Sequence, residues 1–282
     1  MTHLTPAAVV WITGAGGLIG GQLHKTAPTY APSIRPVGLE RSDLDLTDFH
    51  SVRRRFVSDR PAAVIHCAAL SKTAACQADP NLARLTNIDA TRHLAELAAE
   101  IPLLFLSTDL VFDGRKGGYI ESDPVNPLSV YAETKVIGEQ LVLANPRHTV
   151  LRTSLNFGHT AAGNRSFNEE MVQAWRAGRT LNLFADEFRN PIAASVTARA
   201  VWELLRLNRP GLYHVAGREK VSRFELGSLI AARHPEVNPR VVAGTLKEYH
   251  GAPRSPDTTL NCETLQGLLS FPLPKFSEWL QS

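Results

Sequence analysis

The chain has 282 residues, of which 44% are hydrophobic and 20% charged, with a net charge of +3. That composition excludes a disordered or collagen-like chain, and a balance so near neutral excludes a dedicated nucleic-acid binder. No apolar run approaches the roughly 18 residues of a membrane span, and the three cysteines, Cys67, Cys76 and Cys262, make too few pairs for a disulfide framework. The expectation is a globular cytoplasmic protein that partners neither nucleic acid nor membrane. The apolar start Ala7–Ile12 has no Lys or Arg before it and does not read as a signal peptide.

Taken in chain order, the predicted elements alternate. Val9–Thr13 reads as a buried strand and Leu18–Lys25 as a helix. Arg35–Leu39 is a second strand. Asp48–Val57 is a helix, with Phe49, Val52 and Phe56 spaced by three and four. Ala62–Ala68 is a third strand. A long helix is expected over Asn81–Glu100, its Leu82, Leu85, Ile88, Leu94 and Leu97 lying near one stripe. Strand Leu103–Ser107, helix Ser129–Leu143 and strand Thr149–Thr153 continue the pattern. Apolar strands alternating with helices predict an α/β fold, a doubly wound parallel sheet covered on both faces. Beyond residue 155 the rhythm loosens. Gly158–Asn164 is loop, Phe167–Ala177 helix, Ser195–Leu207 a helix capped by its serine, and Gly211–Val215 a strand. Ser222-Arg-Phe-Glu225 fits a capping box opening a helix over Arg223–Arg233, and Gly251–Asp257 is irregular.

The first strand runs into Gly14-x-x-Gly17-x-x-Gly20 and then a helix. Glycines at this spacing allow a tight turn, a close approach of backbone to a pyrophosphate, and close helix–strand packing. The free N–H groups and positive dipole end of the helix then face the anion. A dinucleotide is the expected ligand. Glu40, 20 residues after Gly20, is placed to accept from ribose hydroxyls and favours NAD; Arg41 beside it suits a 2′-phosphate and favours NADP. The two oppose each other, so both cofactors are expected to bind. Asp45 and Leu46 suit a loop against the adenine. The chain is therefore divided into a Rossmann-type NAD(P)-binding domain over residues 1–155 and a smaller substrate-binding lobe over 156–282, interleaved with the sheet and not independent.

Tyr131 and Lys135 stand four apart in a helical stretch and share a face. Reducing a carbonyl needs a proton donor beside the oxygen that gains charge. A free phenol has a pKa near 10, and a neighbouring ammonium lowers it by stabilising the phenolate. Thr108, at the end of the fourth strand, offers a hydroxyl to the same oxygen. Ligands of such sheets bind outside the carboxyl ends of the strands, where these pieces would meet. The ten histidines form neither an HExxH motif nor a CxxC partner set, so no metal is expected.

With these pieces the chain resembles extended short-chain dehydrogenases/reductases. More narrowly, it is similar to dTDP-4-dehydrorhamnose reductases and their sugar-nucleotide relatives. Thr13–Gly20, Ser107–Gly114, Asn126–Lys135 with Gly138-Glu139, Leu151–Ser154, Asp186–Pro191 and Gly211–Gly217 carry the likeness over most of the chain. The resemblance implies a catalytic set of Thr108, Tyr131 and Lys135, with Lys135 also on the nicotinamide ribose. It implies cofactor contacts at Gly14, Gly17, Leu18, Ile19, Gly20, Glu40, Arg41, Asp45, Leu46, Cys67, Ala68 and Ala69, with His66 at the head of that last segment. Substrate contacts are implied at Asp109, Asn156, Arg189 and Arg254, and support for the active-site helix at Asn87. The implied chemistry is reduction, by NAD(P)H, of the C4 ketone of a nucleotide-linked 6-deoxyhexose. The pyrophosphate of such a substrate needs cationic partners, and Arg165, Arg189 and Arg254 lie in loop-like segments, Arg254 inside a segment resembling one that closes over substrate. Relatives often pair beside the catalytic helix, which allows a homodimer.

The chain also departs from its relatives. Gly21 and Gln22 stand where some members carry a metal-linked glutamate, so no metal is implied. Leu110 and Leu155 replace a frequent Tyr and Trp, and the loop at Lys116–Tyr119 is short, which leaves the sugar open. Two other readings share the scaffold: a sugar-nucleotide epimerase, and a non-catalytic NADP-binding regulatory subunit like the β subunit of methionine adenosyltransferase. Leu110, where 4,6-dehydratases place a glutamate, argues against dehydration.

Overall fold

The computed structural model describes residues 8–280. Ala7, the first residue of the apolar run Ala7–Ile12, lies outside the described residues, and the rest of that run is strand. In chain order the first elements are β1 (Ala8–Thr13), α1 (Leu18–Tyr30), β2 (Ile34–Leu39), α2 (Phe49–Asp59), β3 (Ala63–His66), α3 (Thr73–Ala78), α4 (Pro80–Arg84), α5 (Ala90–Leu97), β4 (Leu103–Thr108), α6 (Val130–Leu143) and β5 (Thr149–Thr153). They continue as β6 (Asn156–Phe157), α7 (Phe167–Arg176), β7 (Thr180–Phe184), β8 (Phe188–Arg189), β9 (Ile192–Ala193), α8 (Ala194–Leu207), β10 (Gly211–Val215), β11 (Val221–Ser222), α9 (Arg223–Ala232) and β12 (Arg240–Gly244).

Six strands form one sheet in the order β10-β5-β4-β3-β1-β2, and every pair in it is parallel. Side chains alternate across it, as the two-residue period of a strand requires. Val10, Ile12, Ile65, Leu104 and Leu151 face one way, against Leu23 and Ala27 of α1 and Val201 and Trp202 of α8. Val9, Trp11, Val64, Phe105 and Val150 face the other, against Val52 of α2, Leu94 of α5 and Val142 of α6. The two fully buried indoles each find an acceptor: Trp11 Nε1 donates to Asp59 at 3.0 Å and Trp202 Nε1 to the Leu23 carbonyl at 3.3 Å. That satisfies the one polar atom each brings into the core. The chain steps from β1 outward to β2, then back across β1 to β3. The order reverses between β1 and β3, which is where such sheets open a crevice at their carboxyl ends.

The later residues add a second apolar cluster around Phe157, Met171, Trp175, Leu226 and Phe276. The short strands pair as β7–β12 and β6–β9, both parallel, and β8–β11, antiparallel. None of these pairs was anticipated, because two- to five-residue runs carry too little periodicity to register.

Two expected elements are corrected. The continuous helix over residues 81–100 is instead α4, a π-helical turn Leu85–Asp89, and α5. A wider turn shifts the phase of every residue before it relative to those after. Leu82 and Leu85 are consequently exposed, 37% and 38%, while Ile88 and Leu94 stay buried. Ser195 does not cap α8; the cap position is Ala193, because β9 runs straight into the helix.

Candidate active site

A cavity of about 1270 Å³ runs along the carboxyl ends of β1, β3 and β4 and under the later loops. At one end lies the glycine turn. Gly14 has φ +70, and a Cβ there would stand 2.8 Å from the Ala68 nitrogen. Gly20 sits so close to the Gly14 carbonyl that a Cβ would collide with it. These two positions need glycine to bring the β1 turn, the β3 end and the start of α1 together. Gly17 is the N-cap of α1 and has no side chain to fill the helix end. A dinucleotide pyrophosphate fits this cradle. Leu18, Ile19, Leu46, Cys67, Ala68 and Ala69 all line the same cavity.

The wall beneath Cys67 is a closed hydrogen-bond chain. His66 Nδ1 lies 2.7 Å from Thr13 Oγ1, and Nε2 3.0 Å from Thr91 Oγ1. Thr91 donates to the Asn87 carbonyl, so it accepts from His66 Nε2–H, and Thr13 then donates to Nδ1. This assigns a neutral Nε2–H imidazole, in keeping with a pKa pushed by burial, and then by Lys135, down to about 3. Burial likewise pushes the Cys67 thiol up to about 12. Neither group is ionised near neutrality.

At the end expected to take the ribose, Glu40 and Arg41 both line the cavity. Arg41 Nε leans on Asp45 at 3.6 Å, a pair of exposed groups worth little. Asp45 is held below the usual carboxylate range first by the Thr47 backbone N–H. Arg165 reaches the glycine turn from the later half of the chain and donates to the Gly16 carbonyl at 2.7 Å, beside the Glu40 carboxyl.

At the centre, Ser129 caps α6 by accepting from Ala132 N–H, which fixes where the helix begins. Tyr131 and Lys135 follow on one face and line the cavity together with Thr108. Burial, and then the Asp109 charge, raises the Tyr131 pKa well above that of a free phenol; a hydrogen bond with Thr108 pulls the other way. Lys135 is buried, its ammonium 3.8 Å from the Phe105 ring centroid. Burial brings its pKa down to about 7 against the pull of Glu139 and Cys67. Asn87 ties this helix to the β3 loop: it donates to Thr134 Oγ1 at 3.0 Å and to the Leu70 carbonyl at 3.1 Å, and accepts from Leu70 N–H at 2.8 Å.

The residues expected on the substrate side come together, although not as free groups. Asp109 is buried and accepts from Thr258 at 2.7 Å and Ser154 at 3.2 Å, with Arg189 at 3.5 Å; burial raises its pKa. Asn156 lines the cavity but spends its amide on Thr153, Ser154 and Thr197. Of the two arginines expected in loops, Arg254 lies in one and Arg189 does not. Arg189 lies buried in β8, paired with Glu187 at 3.0 Å and bonded to the Phe188 and Ser255 carbonyls. Arg254 makes two bonds to Glu187, at 2.6 and 3.0 Å. Burial works to raise the pKa of Glu187, but Arg254 and Arg189 outweigh it and hold the carboxyl below its usual range. Sequence reasoning missed Glu187 and also Arg223, both of which line the same cavity. An arginine in the first turn of a helix, at the positive end of its dipole, was the available signal.

A model of the RmlD substrate binding domain matches residues 8–282. A dTDP-4-dehydrorhamnose reductase of Sinorhizobium fredii is 29% identical over 282 residues, 95% of this chain and 93% of the relative. One of Aggregatibacter actinomycetemcomitans is 31% identical over 84% of this chain and 85% of the relative. The solved dTDP-4-dehydrorhamnose reductase of Bacillus anthracis, in complex with NADP, superposes with a TM-score of 0.88 at 25% identity, covering 98% of both chains.

Proposed function

We propose, from the premise that the chain belongs to the RmlD substrate binding domain family, that it is an NAD(P)H-dependent oxidoreductase that reduces the C4 ketone of a nucleotide-linked 6-deoxy sugar. The observation that carries the reading is the meeting, in one cavity, of a dinucleotide cradle at Gly14–Gly20 with Thr108, Tyr131 and Lys135. When bound, the cofactor supplies a hydride. The residues do the rest. Tyr131 is a phenol held protonated by burial, so it has a proton to give as charge develops on the ketone oxygen. Lys135 stabilises the phenolate left behind, and Thr108 donates to the same oxygen. Asp109 keeps the ground-state phenol protonated and is itself screened by Arg189. The three free cysteines support a cytoplasmic setting.

The test is consumption of NADPH and NADH against dTDP-linked 4-keto-6-deoxy sugars. Wild type is expected to turn over, and Tyr131→Phe to bind cofactor normally while losing at least about a hundredfold in kcat. Turnover of Tyr131→Phe at the wild-type rate removes the assignment.

A further inference from the structure

Around Glu187 the cavity wall gathers more positive charge than its carboxylates balance. Arg254 is spent on Glu187, and Arg189 is divided between Glu187, Asp109 and two backbone carbonyls. Arg223 is the third guanidinium. Its backbone N–H donates to the Glu187 carbonyl at 2.9 Å. Among the described residues its side chain has no hydrogen-bond acceptor and no carboxylate oxygen within 4 Å, Glu187 and Asp109 attracting it only from farther off, and it lies over the Phe167 ring, 5.4 Å from the centroid.

Three features make that placement costly. Arg223 is the first residue of α9, where the helix dipole repels a cation. Two like charges, Arg189 and Arg254, stand near it. It is also drawn partly out of water. Burial first, with those charges, pushes its pKa down to about 10, even though Glu187 and Asp109 oppose the shift. A guanidinium offers five donors in a flat fork suited to phosphate oxygens. Arg223 lines the cavity that Tyr131 and Lys135 also line.

We propose that Arg223 is the residue that grips the diphosphate of the nucleotide sugar, with Arg254 and Arg189 acting as braces that fix Glu187. The inference rests on the substrate class proposed above and assigns its anion to one side chain. It displaces Arg254, which the sequence singled out, from that role.

Calorimetric titration of dTDP and, separately, of inorganic pyrophosphate tests it on the full chain, with NADPH titrated in parallel. Arg223→Gln is expected to weaken dTDP and pyrophosphate by about ten- to a hundredfold and leave NADPH within about twofold. Removing an unpaired cation also predicts a Tm equal to or above wild type, whereas a structural role predicts a lower one. Arg254→Gln, which strips Glu187 of two bonds, is expected to lower Tm and to weaken dTDP less. Unchanged dTDP affinity in Arg223→Gln, or a wild type that takes neither dTDP nor pyrophosphate, overturns the proposal. Binding lost in Arg223→Gln while wild type reduces no keto-sugar leaves this assignment standing and removes the reductase reading. Reduction with an unchanged KM in Arg223→Gln does the reverse.

Discussion

Lys135 stands with its ammonium against the Phe105 ring and its pKa at about 7, against about 10.4 for the unfolded chain. Below pH 7 both states carry the proton, and the folded state bears the full burial cost. Between about pH 7 and 10 the unfolded chain binds more protons than the folded one, so this group's penalty shrinks as pH rises, by about 1.4 kcal/mol per unit. Lys135→Met is therefore expected to raise Tm at pH 6 and to lose that advantage toward pH 10, while turnover collapses. Parallel melting curves at the two pH values would show that Lys135 does not titrate in that window. The same shift makes kcat/KM for reduction fall as pH passes about 7, since that parameter reports the free enzyme. Tyr131 and Lys135 were legible because their spacing on a helix alone puts them side by side. Glu187 and Arg223 were not, because their partners stand on other segments: Arg254 lies 67 residues from Glu187, and Ser222–Glu225 already explained Arg223 as part of a helix start.

The π turn at Leu85–Asp89 gives α4 and α5 different faces and leaves Asn87 aimed at both the β3 loop and α6. Asn87→Ala removes three bonds, two of them to the half-buried Leu70 backbone, whose carbonyl keeps only the weak Cys76 thiol donor. The expected cost is about 1–3 kcal/mol in denaturant melts. A several-fold fall in kcat should accompany it, because α6 carries Tyr131 and Lys135; an unaltered kcat at the reduced stability would confine Asn87 to the scaffold. All six strands of the main sheet were legible; β1, β3 and β4 are apolar runs buried on both faces, and the edge strands β2 and β10 were read from shorter apolar stretches between helices. The helix break was not. Leu82 and Leu85 fit the apolar stripe as letters, and the bonds Asn87 makes from the wider turn run to segments 17 and 47 residues away. The small strand pairs escaped for a related reason: each is held by a partner far along the chain, as β7 is by β12.

At the scale of the whole molecule, α8 and β10 come from the later half of the chain, yet they complete the first half's sheet. Trp202 and Val201 of α8 cover the face built by Val10, Ile12, Ile65 and Leu104, and β10 fills the edge beside β5. A fragment ending at residue 155 keeps the glycine turn but leaves that face and edge bare. It is expected to show no cooperative melt and no NADPH binding; a soluble fragment that binds NADPH would make the first half self-sufficient. The same arrangement sets a timetable during synthesis. Some 60 residues separate the end of β5 at Thr153 from the end of β10 at Val215, an interval of roughly 3–12 s at about 5–20 residues per second. Throughout it, the nascent chain presents an open apolar sheet face and an unpaired edge strand, the surface that chaperones hold and neighbouring nascent chains adhere to.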